Sequence, residues 1–509
     1  MTKNSNNPVR IYLLLSLKKG KKQLPLNVQL YDSFVRLIKE ERLKAGDRLP
    51  SSRILAKELK IARVTVTAAY KRLIEEGFCV SQTGSGTRIN SELLLRETKN
   101  CFHFQPIEAK KKRISSRISN LNHPVSLRIQ ESKPFALCAP DNTSLPGLYW
   151  TRIVSRLSKS PWMHNGYSEP GGYEPFKLAV ADYVRRVRCI ACDPSQVIAT
   201  NGIQQGINLC SQVLFNSGES IAVEDPYFQL HISALEYHGF NVVPISTENN
   251  EFVNALLKLP QSVRGALLTP NHHFPLGGSF SDTEREKILS WAEESGAWLI
   301  ENDYDGDLLY SGEPKPALFA SDDSESVVLV GTFSKIIYPG LQLGYLVCPR
   351  SLSQEFQTAK LLADRHVSEV HQTILSEFIR NGDYEAHVRR LKKIYSGRRK
   401  SLVSALELEL KEFGTVVPDN QGTHVVFLLG PMFTNDVDVV NYLKNNYQIE
   451  AQALSTFYRK NKAQCGLLLG FAHFHNSKLA KSVMRLKEAL YYFLMTKNPT
   501  LDIKVANAE

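Results

Sequence analysis

Short apolar runs alternate with helical segments through the middle of this 509-residue chain. The runs are rich in Val, Ile, Leu and Ala, as buried strands are. Helical patterns such as Gln204 to Phe215 and Asp282 to Ser295 separate them. This alternation predicts an α/β fold, a mostly parallel sheet covered by helices. The runs occupy residues 197–199, 220–223, 265–268, 297–300 and 327–330.

A lysine and two hydroxyl residues follow the last of these runs. Thr332, Ser334 and Lys335 come directly after the predicted strand 327–330. We expect desolvation to lower the pKa of the Lys335 amine, which can then form a Schiff base while the hydroxyls hold a phosphate. Because ligands of parallel sheets bind at the carboxyl ends of the strands, this pattern predicts a pyridoxal 5'-phosphate site.

Residues that suit a pyridine phosphate also follow two earlier strands. Gly202 opens a predicted helix, and the free backbone N–H groups of Ile203 and Gln204 favour an anion there. Tyr227 or Phe228 follows the next strand and can stack on the pyridine ring. Each feature alone is more often structural, but their order before Lys335 supports a cofactor site.

The strand at 297–300 ends in a further group of candidates. Asn302 or Asp303 could face the nitrogen of the pyridine ring, and Tyr304 could face its phenolic oxygen. These positions complete the predicted set of cofactor-binding residues in the middle of the chain.

Basic residues are concentrated near the N-terminus. Residues 1–113 carry 24 Lys and Arg against 10 Asp and Glu, and the remainder carries 38 against 41. This imbalance predicts one module that meets a polyanion and a nearly neutral body that does not. No run is long enough to cross a bilayer, and we find no signal peptide, disulfide framework or metal site, so we predict a cytoplasmic protein.

Three helices and a hairpin are predicted in residues 1–90. The helices cover 26–41, a segment capped by Ser51, and 63–76, and two strands flank a glycine-rich turn at 84–86. This order predicts a winged helix-turn-helix that binds double-stranded DNA. A small protein-binding bundle with a solvated basic face is the alternative. The candidate DNA-binding residues are Arg53, Arg63, Thr65, Thr67, Lys71, Gly84 and Gly86.

The remaining chain divides into a linker and a larger domain. Residues 91–135 show little periodicity, and their basic run 110–113 either adds non-specific DNA affinity or is merely solvated charge. Residues 136–495 form the predicted α/β domain. We divide it into a large subdomain at about 165–345 and a smaller α+β subdomain at about 346–495.

Two parts of the chain resemble known families. The first 90 residues resemble the GntR family of bacterial repressors, through the strings 46–53, 63–66, 76–78 and 84–87. The body resembles fold-type I aminotransferases, through 167–173, 224–226, 273–277, 301–305 and 331–335. The order of the two domains resembles that of the MocR/GabR-type regulators, which join a GntR head to an aminotransferase-like body.

The resemblance implies roles for several residues. Lys335 would form the aldimine with pyridoxal phosphate, Thr332 and Ser334 would bind its phosphate, and Phe228 would stack on its ring. Tyr167 would reach the phosphate of a neighbouring subunit, which implies a head-to-tail homodimer. The implied function is a transcriptional regulator that senses pyridoxal phosphate or an amine or amino-acid effector.

Three departures from the family pattern bear on catalysis. Asn302 replaces the acidic partner of the ring nitrogen, although Asp303 could compensate if the turn shifts by one residue. Gln342 replaces an arginine that holds the phosphate. The strand 466–471 has leucines, among them Leu467, where an arginine binds the substrate carboxylate. We therefore expect inefficient transamination. An active aminotransferase with an accessory head, and a cofactor-free regulator that uses the body for dimerisation, are the alternatives.

Overall fold

The computed structural model describes residues 17, 24–40, 42–82, 86–90, 115–119, 133–141, 146–159, 166–248, 251–460 and 462–497. The chain divides into two compact units, residues 1–112 and 113–509. Most of the predicted linker, its basic run and the predicted DNA-binding residue Gly84 lie outside the described residues. Within the described ranges, no helix is long and apolar enough to cross a membrane.

The first unit confirms the predicted order of three helices and an antiparallel hairpin. Ser51 caps the second helix by accepting a hydrogen bond from the backbone N–H of Ile54. The unit therefore has the fold of a winged helix-turn-helix. Its elements are α1 (Leu26–Lys39), α2 (Ser52–Glu58), α3 (Arg63–Glu75), β1 (Cys79–Gln82) and β2 (Gly86–Ile89).

A small apolar core holds the three helices of the first unit together. Leu30 and Phe34 lie one turn apart on α1 and are fully buried. The rings of Phe34 and Tyr70 of α3 pack edge to face, 5.6 Å apart. Tyr70 donates a hydrogen bond to the carbonyl of Pro50, which ties α3 to the segment before α2. Because the apolar residues face inward, the polar residues of α3 remain on the surface.

A seven-stranded sheet forms the centre of the second unit. The strand order is β3-β9-β8-β7-β6-β4-β5; β9 runs antiparallel to its two neighbours and the other pairs are parallel. This confirms the predicted mostly parallel sheet. Its strands are β3 (Val197–Thr200), β4 (Ser220–Asp225), β5 (Asn241–Ser246), β6 (Val263–Leu268), β7 (Trp298–Asp303), β8 (Val327–Thr332) and β9 (Gly344–Val347).

Helices surround this sheet, and a second sheet of four antiparallel strands follows it in the chain. The second sheet has the order β10-β11-β13-β12, with β10 (Gly414–Val416), β11 (His424–Leu429), β12 (Gln452–Ala453) and β13 (Gly466–Gly470). The helices are α4 (Ser116–Ser119), α5 (Gly147–Leu157), α6 (Glu174–Arg188), α7 (Gly202–Leu214), α8 (Gln229–Tyr237), α9 (Glu251–Leu256), α10 (Asp282–Ser295), α11 (Ser353–Asp364), α12 (Glu369–Arg380), α13 (Asp383–Glu409), α14 (Asp436–Tyr447) and α15 (Asn476–Lys497).

Strand β8 is apolar at every position from 327 to 330 because both of its faces are covered. Successive side chains point to opposite faces of a sheet. Val330 accordingly belongs to an apolar cluster with α7, while Leu329 belongs to a cluster on the opposite face. A Cβ atom on Gly206 of α7 would lie 2.3 Å from a methyl carbon of Val330, so glycine allows α7 to pack directly on β8. This contact places the start of α7 beside the end of β8.

Candidate functional site

The carboxyl ends of β3 and β8 flank the same residue of β9, the strand that lies between them. Thr200 at the end of β3 and Thr332 at the end of β8 both pair with Gly344. A Cβ atom on Gly344 would lie 3.0 Å from the Cα atom of Gly202, so the backbones are close-packed here. The first turn of α7 and the loop that carries Lys335 therefore share one edge of the sheet.

The first turn of α7 offers free hydrogen-bond donors at this edge. Gly202 has a φ of +75°, a left-handed conformation that glycine adopts without strain. The side chain of Asn201 makes no capping hydrogen bond, so the first-turn N–H groups remain available. The hydroxyl of Thr200 is buried and has no hydrogen-bond partner among the described residues. This arrangement suits an anionic group.

Thr332 and Ser334 lie beside this turn. The Thr332 hydroxyl accepts a hydrogen bond from the backbone N–H of Ser334 at 3.1 Å, which fixes the start of the loop. Both side chains are half-buried. The predicted phosphate-binding residues Gly202, Ile203, Gln204, Thr332 and Ser334 thus come from two elements at one edge of the sheet.

The amine of Lys335 donates a hydrogen bond to the sulfur of Cys138 at 2.9 Å. Burial acts to lower the pKa of Lys335, but the charge and the hydrogen bond of Cys138 outweigh burial and raise the pKa above its ordinary value. The expectation of a lowered Lys335 pKa is therefore wrong. Cys138 was not among the predicted site residues, because no spacing pattern links it to a lysine 197 residues away.

Asn302 carries a free acceptor in the interior. Its side-chain N–H donates to the hydroxyl of Tyr227 at 2.8 Å, whereas its Oδ1 is buried without a partner among the described residues. Asp303, the next residue of β7, is paired with Arg188 at 2.5 Å. The carboxylate that could have compensated for Asn302 is therefore held by a guanidinium.

Arg188 lies between two carboxylates, of which Asp303 is buried and Asp307 is half-buried. It contacts Asp303 and, at 3.1 Å, Asp307. Burial raises the pKa of Asp303 above its ordinary value despite this guanidinium. Burial also acts on Asp307, but Arg188 and the hydroxyls of Tyr183 and Tyr384 outweigh it and lower the pKa of Asp307. The group fastens the end of β7 to the end of α6.

Tyr304 is tied to a buried histidine that sequence analysis did not select. Its hydroxyl lies 2.7 Å from Nδ1 of His272. Asp305 and Asp419 hold the two ring nitrogens of His272 at 2.8 and 3.0 Å. Burial acts to lower the pKa of His272, but the two carboxylates prevail and raise it to about 10. Tyr304 therefore belongs to a charged cluster that joins the end of β7 to the loop before β11.

Phe228 lies at the start of α8 among other rings. Its ring centroid is 4.9 Å from that of His231 and 5.7 Å from that of Phe274. His231 is buried, and its Nδ1 has no partner among the described residues. Burial, with a smaller effect from the charge of Lys335, lowers the pKa of His231 to about 3. After Cys138 and His272, His231 is the third residue here that the sequence did not reveal.

Two groups of side chains of opposite character lie at the site, and we call them the polar wall and the apolar wall. The polar wall consists of Thr200, Gln204, Asn302 and Thr332, three of which have buried side-chain oxygens without partners among the described residues. The apolar wall is part of an apolar cluster that includes Leu137, Phe457 and Leu468, and Phe228, Phe274 and Cys138, the partner of Lys335, pack against this cluster. The leucines predicted in place of a carboxylate-binding arginine are all fully buried.

Two further predicted residues lie at the surface. Gln342 is exposed and has a left-handed φ of +44° between Lys335 and β9. Tyr167 is 79% exposed, and the guanidinium of Arg365 lies 4.5 Å from its ring centroid. The side chain of Tyr167 is therefore accessible on the face of this unit.

In the first unit, the predicted DNA-binding residues line one face. Arg53, Arg63, Thr67 and Lys71 are exposed, and Thr65 is half-buried. Arg63 donates to the hydroxyl of Ser52 at 3.3 Å, which links the starts of α2 and α3. Guanidinium and hydroxyl groups at the start of a recognition helix suit phosphates and base edges.

A groove of about 630 Å³ separates α3 from the hairpin of this unit. Arg48 lines it opposite Lys71, and its guanidinium lies against Gly86, where a Cβ atom would be 3.2 Å from Nε. Gly86 thus leaves room for Arg48. Sequence analysis named Gly86 but not Arg48 as a site residue, although Arg48 falls inside the string shared with the GntR family.

Two family models match the chain. The model for class I and II aminotransferases matches residues 155–465, more than half of the chain. The model for bacterial regulatory proteins of the gntR family matches residues 26–89.

Curated relatives match nearly the whole chain. The probable rhizopine catabolism regulatory protein MocR of Rhizobium meliloti is 27% identical over 475 residues, covering 92% of this chain and 94% of that protein. The pyridoxine biosynthesis transcriptional regulator PdxR of Corynebacterium glutamicum is 28% identical over 462 residues, covering 91% and 95%.

Among solved structures, a multiple substrate aminotransferase from Thermococcus profundus is similar in fold. Its TM-score is 0.67 at 23% identity, covering 75% of this chain and 98% of that one. The chain belongs to the class I and II aminotransferase family and joins that domain to a GntR-family DNA-binding domain, the make-up of the MocR/GabR-type transcriptional regulators.

Proposed function

We propose that the second unit binds pyridoxal 5'-phosphate through a Schiff base to Lys335 and that the protein regulates transcription in response to this cofactor or to an amine or amino acid that reacts with it. The cofactor supplies an aldehyde that amines can exchange on. The observation that carries the proposal is the polar wall, where Thr200, Gln204 and Asn302 have buried side-chain oxygens without partners among the described residues, on β3, α7 and β7. Unpaired buried polar groups are costly, and a polar ligand would satisfy them.

The residues present fit the cofactor. The first turn of α7 with Thr200, Thr332 and Ser334 would hold the phosphate. Phe228 would stack on the ring, and Oδ1 of Asn302 would accept a hydrogen bond from the ring nitrogen when that nitrogen is protonated. Lys335 stands at the same edge of the sheet as these groups.

The same geometry favours sensing over rapid turnover. Asn302 is neutral, so it stabilises a protonated ring nitrogen less than a carboxylate would. On the apolar wall, Leu468 offers no charge to a substrate carboxylate. Such a site would let an amine exchange with Lys335 for the cofactor. It would give little support to the proton transfers that transamination requires afterwards.

The exposed ring of Tyr167 supports a dimeric assembly. A tyrosine that is 79% exposed is available to another subunit. We propose that Tyr167 contacts the phosphate in the partner's site of a head-to-tail homodimer, as the family pattern implies. In that arrangement each site is completed only on dimerisation.

The test is spectroscopic. Wild-type protein titrated with pyridoxal phosphate is expected to develop a Schiff-base absorbance band, and Lys335→Ala is expected to lose it entirely. Lys258→Ala, which removes an exposed lysine of the same unit, is the matched control and should behave as wild type. An unchanged band in Lys335→Ala would contradict the proposed attachment.

A second measurement tests regulation. Binding of operator DNA should differ between cofactor-loaded and cofactor-free wild type, and this difference should be absent in Lys335→Ala. Equal affinities of the two wild-type forms, with and without candidate amines, would contradict a sensing role.

An active aminotransferase is the second candidate, because the model for class I and II aminotransferases matches residues 155–465, a range that includes Lys335 after β8. This second candidate predicts steady conversion of amino acids to keto acids by protein that is loaded with pyridoxal phosphate. Under the proposed function, turnover is slow, and Asn302→Asp should raise it by restoring a charged partner for the ring nitrogen. A wild-type rate in the range of ordinary enzymes, about 1 per second or more, would favour the second candidate.

A further inference from the structure

The contact between Cys138 and Lys335 brings two nucleophiles together inside the site. The sulfur lies 2.9 Å from the amine nitrogen and accepts its hydrogen bond. A cysteine sulfur is the side-chain atom that peroxides oxidise, and this one has an amine within hydrogen-bonding distance. A short further approach would bring the two atoms to bonding distance.

The backbone holds the thiol in this place at a cost. Cys138 has a φ of +57°, and Phe135 in the same segment has +66°. A left-handed backbone conformation is disfavoured for a residue that carries a Cβ atom. Strain of this kind persists where the surrounding structure enforces it, and it is concentrated at functional sites.

The segment around Cys138 is fastened on both sides. The backbone N–H of Gly470 donates to the carbonyl of Phe135 at 2.9 Å. After the cysteine, Arg398 binds the carboxylate of Asp141 at 2.8 Å, and the ring of His473 lies 3.0 Å from the carbonyl of Pro140. The thiol is therefore fixed beside Lys335 by contacts with the C-terminal part of the unit.

We propose that a hydroperoxide converts this pair into a reversible sulfur–nitrogen link. The Cys138 sulfur attacks one peroxide oxygen and the O–O bond breaks, so that sulfur is oxidised to a sulfenic acid. The departing oxygen takes the proton that Lys335 donates to the sulfur and leaves as water or an alcohol. The Lys335 amine, neutral after this transfer, then attacks sulfur. An S–N bond forms, the S–O bond breaks, and the hydroxyl leaves as water with a proton from nitrogen.

The link is undone by thiols. One thiolate attacks the sulfur of Cys138 and displaces the Lys335 amine, which takes up a proton. A second thiolate attacks the mixed disulfide and releases the free Cys138 thiol, so the two reductant thiols end as a disulfide. The cycle is a two-electron oxidation followed by a two-electron reduction.

The consequence rests on the proposed function. A Lys335 nitrogen bonded to sulfur cannot condense with an aldehyde, so oxidation would close the site to the cofactor. Oxidation would therefore separate the protein from its carbonyl ligand without any change in ligand concentration.

Mass spectrometry of the cofactor-free full-length protein tests the link itself. After treatment with hydrogen peroxide and digestion, we expect the peptides containing Cys138 and Lys335 to be joined and lighter by two hydrogens than their sum. Dithiothreitol should separate them. Cys138→Ser and Lys335→Ala should abolish the joined species, whereas Cys189→Ser, which removes an exposed thiol, should leave it unchanged. Cys138 found only as sulfinic or sulfonic acid, with Lys335 still open to amine reagents, would overturn the proposal.

Cofactor uptake tests the consequence. Peroxide-treated wild type should lose its uptake of pyridoxal phosphate and regain it with dithiothreitol, whereas peroxide should leave the uptake of Cys138→Ser at the level that this variant shows before treatment. Full uptake by linked wild-type protein would overturn the consequence. If no variant takes up the cofactor, treated or untreated, the proposed function fails, and the mass measurement still decides whether the link forms.

Discussion

The functional residues of the two units differ in their exposure. In the first unit, Arg53, Arg63 and Lys71 are exposed on α2 and α3. In the second unit, Asn302 is 4% and Asp303 8% exposed, and both make interior hydrogen bonds or ion pairs. Surface groups can change with little effect on folding, whereas buried polar groups act on folding and on ligand binding together. Function and stability are therefore separable in the first unit and linked in the second.

The largest expected effect tests this linkage in the second unit. Arg188→Met removes the guanidinium between Asp303 and Asp307 and leaves one buried and one half-buried carboxylate without their cation. We expect a loss of about 3–5 kcal/mol in the free energy of unfolding, measured by urea denaturation. Arg185→Met, which removes an exposed ion pair with Asp182, is the matched control and should cost less than about 1 kcal/mol. Similar losses of unfolding free energy in Arg188→Met and Arg185→Met would contradict the link between function and stability in the second unit.

A variant of the first unit tests whether function and stability are separable there. Arg63→Ala should weaken binding to operator DNA by about 1–3 kcal/mol and relax base preference, because a base or phosphate contact is lost. Its unfolding free energy should be unchanged within about 0.5 kcal/mol. Arg36→Ala on α1, also exposed, controls for the loss of one positive charge. Equal DNA affinity of Arg63→Ala and wild type at moderate salt would contradict the placement of α3 on DNA.

The pH dependence of stability gives the smallest expected effect when it is measured as the change over one pH unit. The pKa of His272 is raised from 6.5 to about 10 in the folded protein, so its contribution is fully present below pH 6.5 and is lost as pH rises towards 10. Between these values the folded state binds the extra proton, and stability should fall by on the order of 1 kcal/mol per pH unit. Urea unfolding of wild type and His272→Gln over this range measures the difference. A difference that does not vary with pH would show that the histidine carries no extra proton.

Much of the fold could be predicted because local patterns determine it. Helix α10 spans Asp282–Ser295, as predicted, because Ser281 and Glu284 form a capping box at its start. The position of Lys335 after β8 followed from four successive apolar residues that both faces of the sheet bury. These features depend on residues close together in the chain.

The chemistry of the site depended on contacts that no local pattern encodes. Lys335 meets Cys138 across 197 residues, and Arg188 meets Asp303 across 115. The first contact reversed the expected direction of the Lys335 pKa, and the second occupied the carboxylate that could have replaced Asn302. Composition and spacing indicate the candidate residues, but packing decides which of them are available to bind a ligand.

The uncharged amide of Asn302 has a consequence for signalling under the proposed function. An enzyme that rapidly converts its ligand depletes that ligand. The occupancy of its site then depends on past conversion as well as on the present ligand concentration. A site that exchanges amines yet seldom transforms them returns each one intact. Promoter output would then follow the prevailing concentration, and it would reset as soon as that concentration falls.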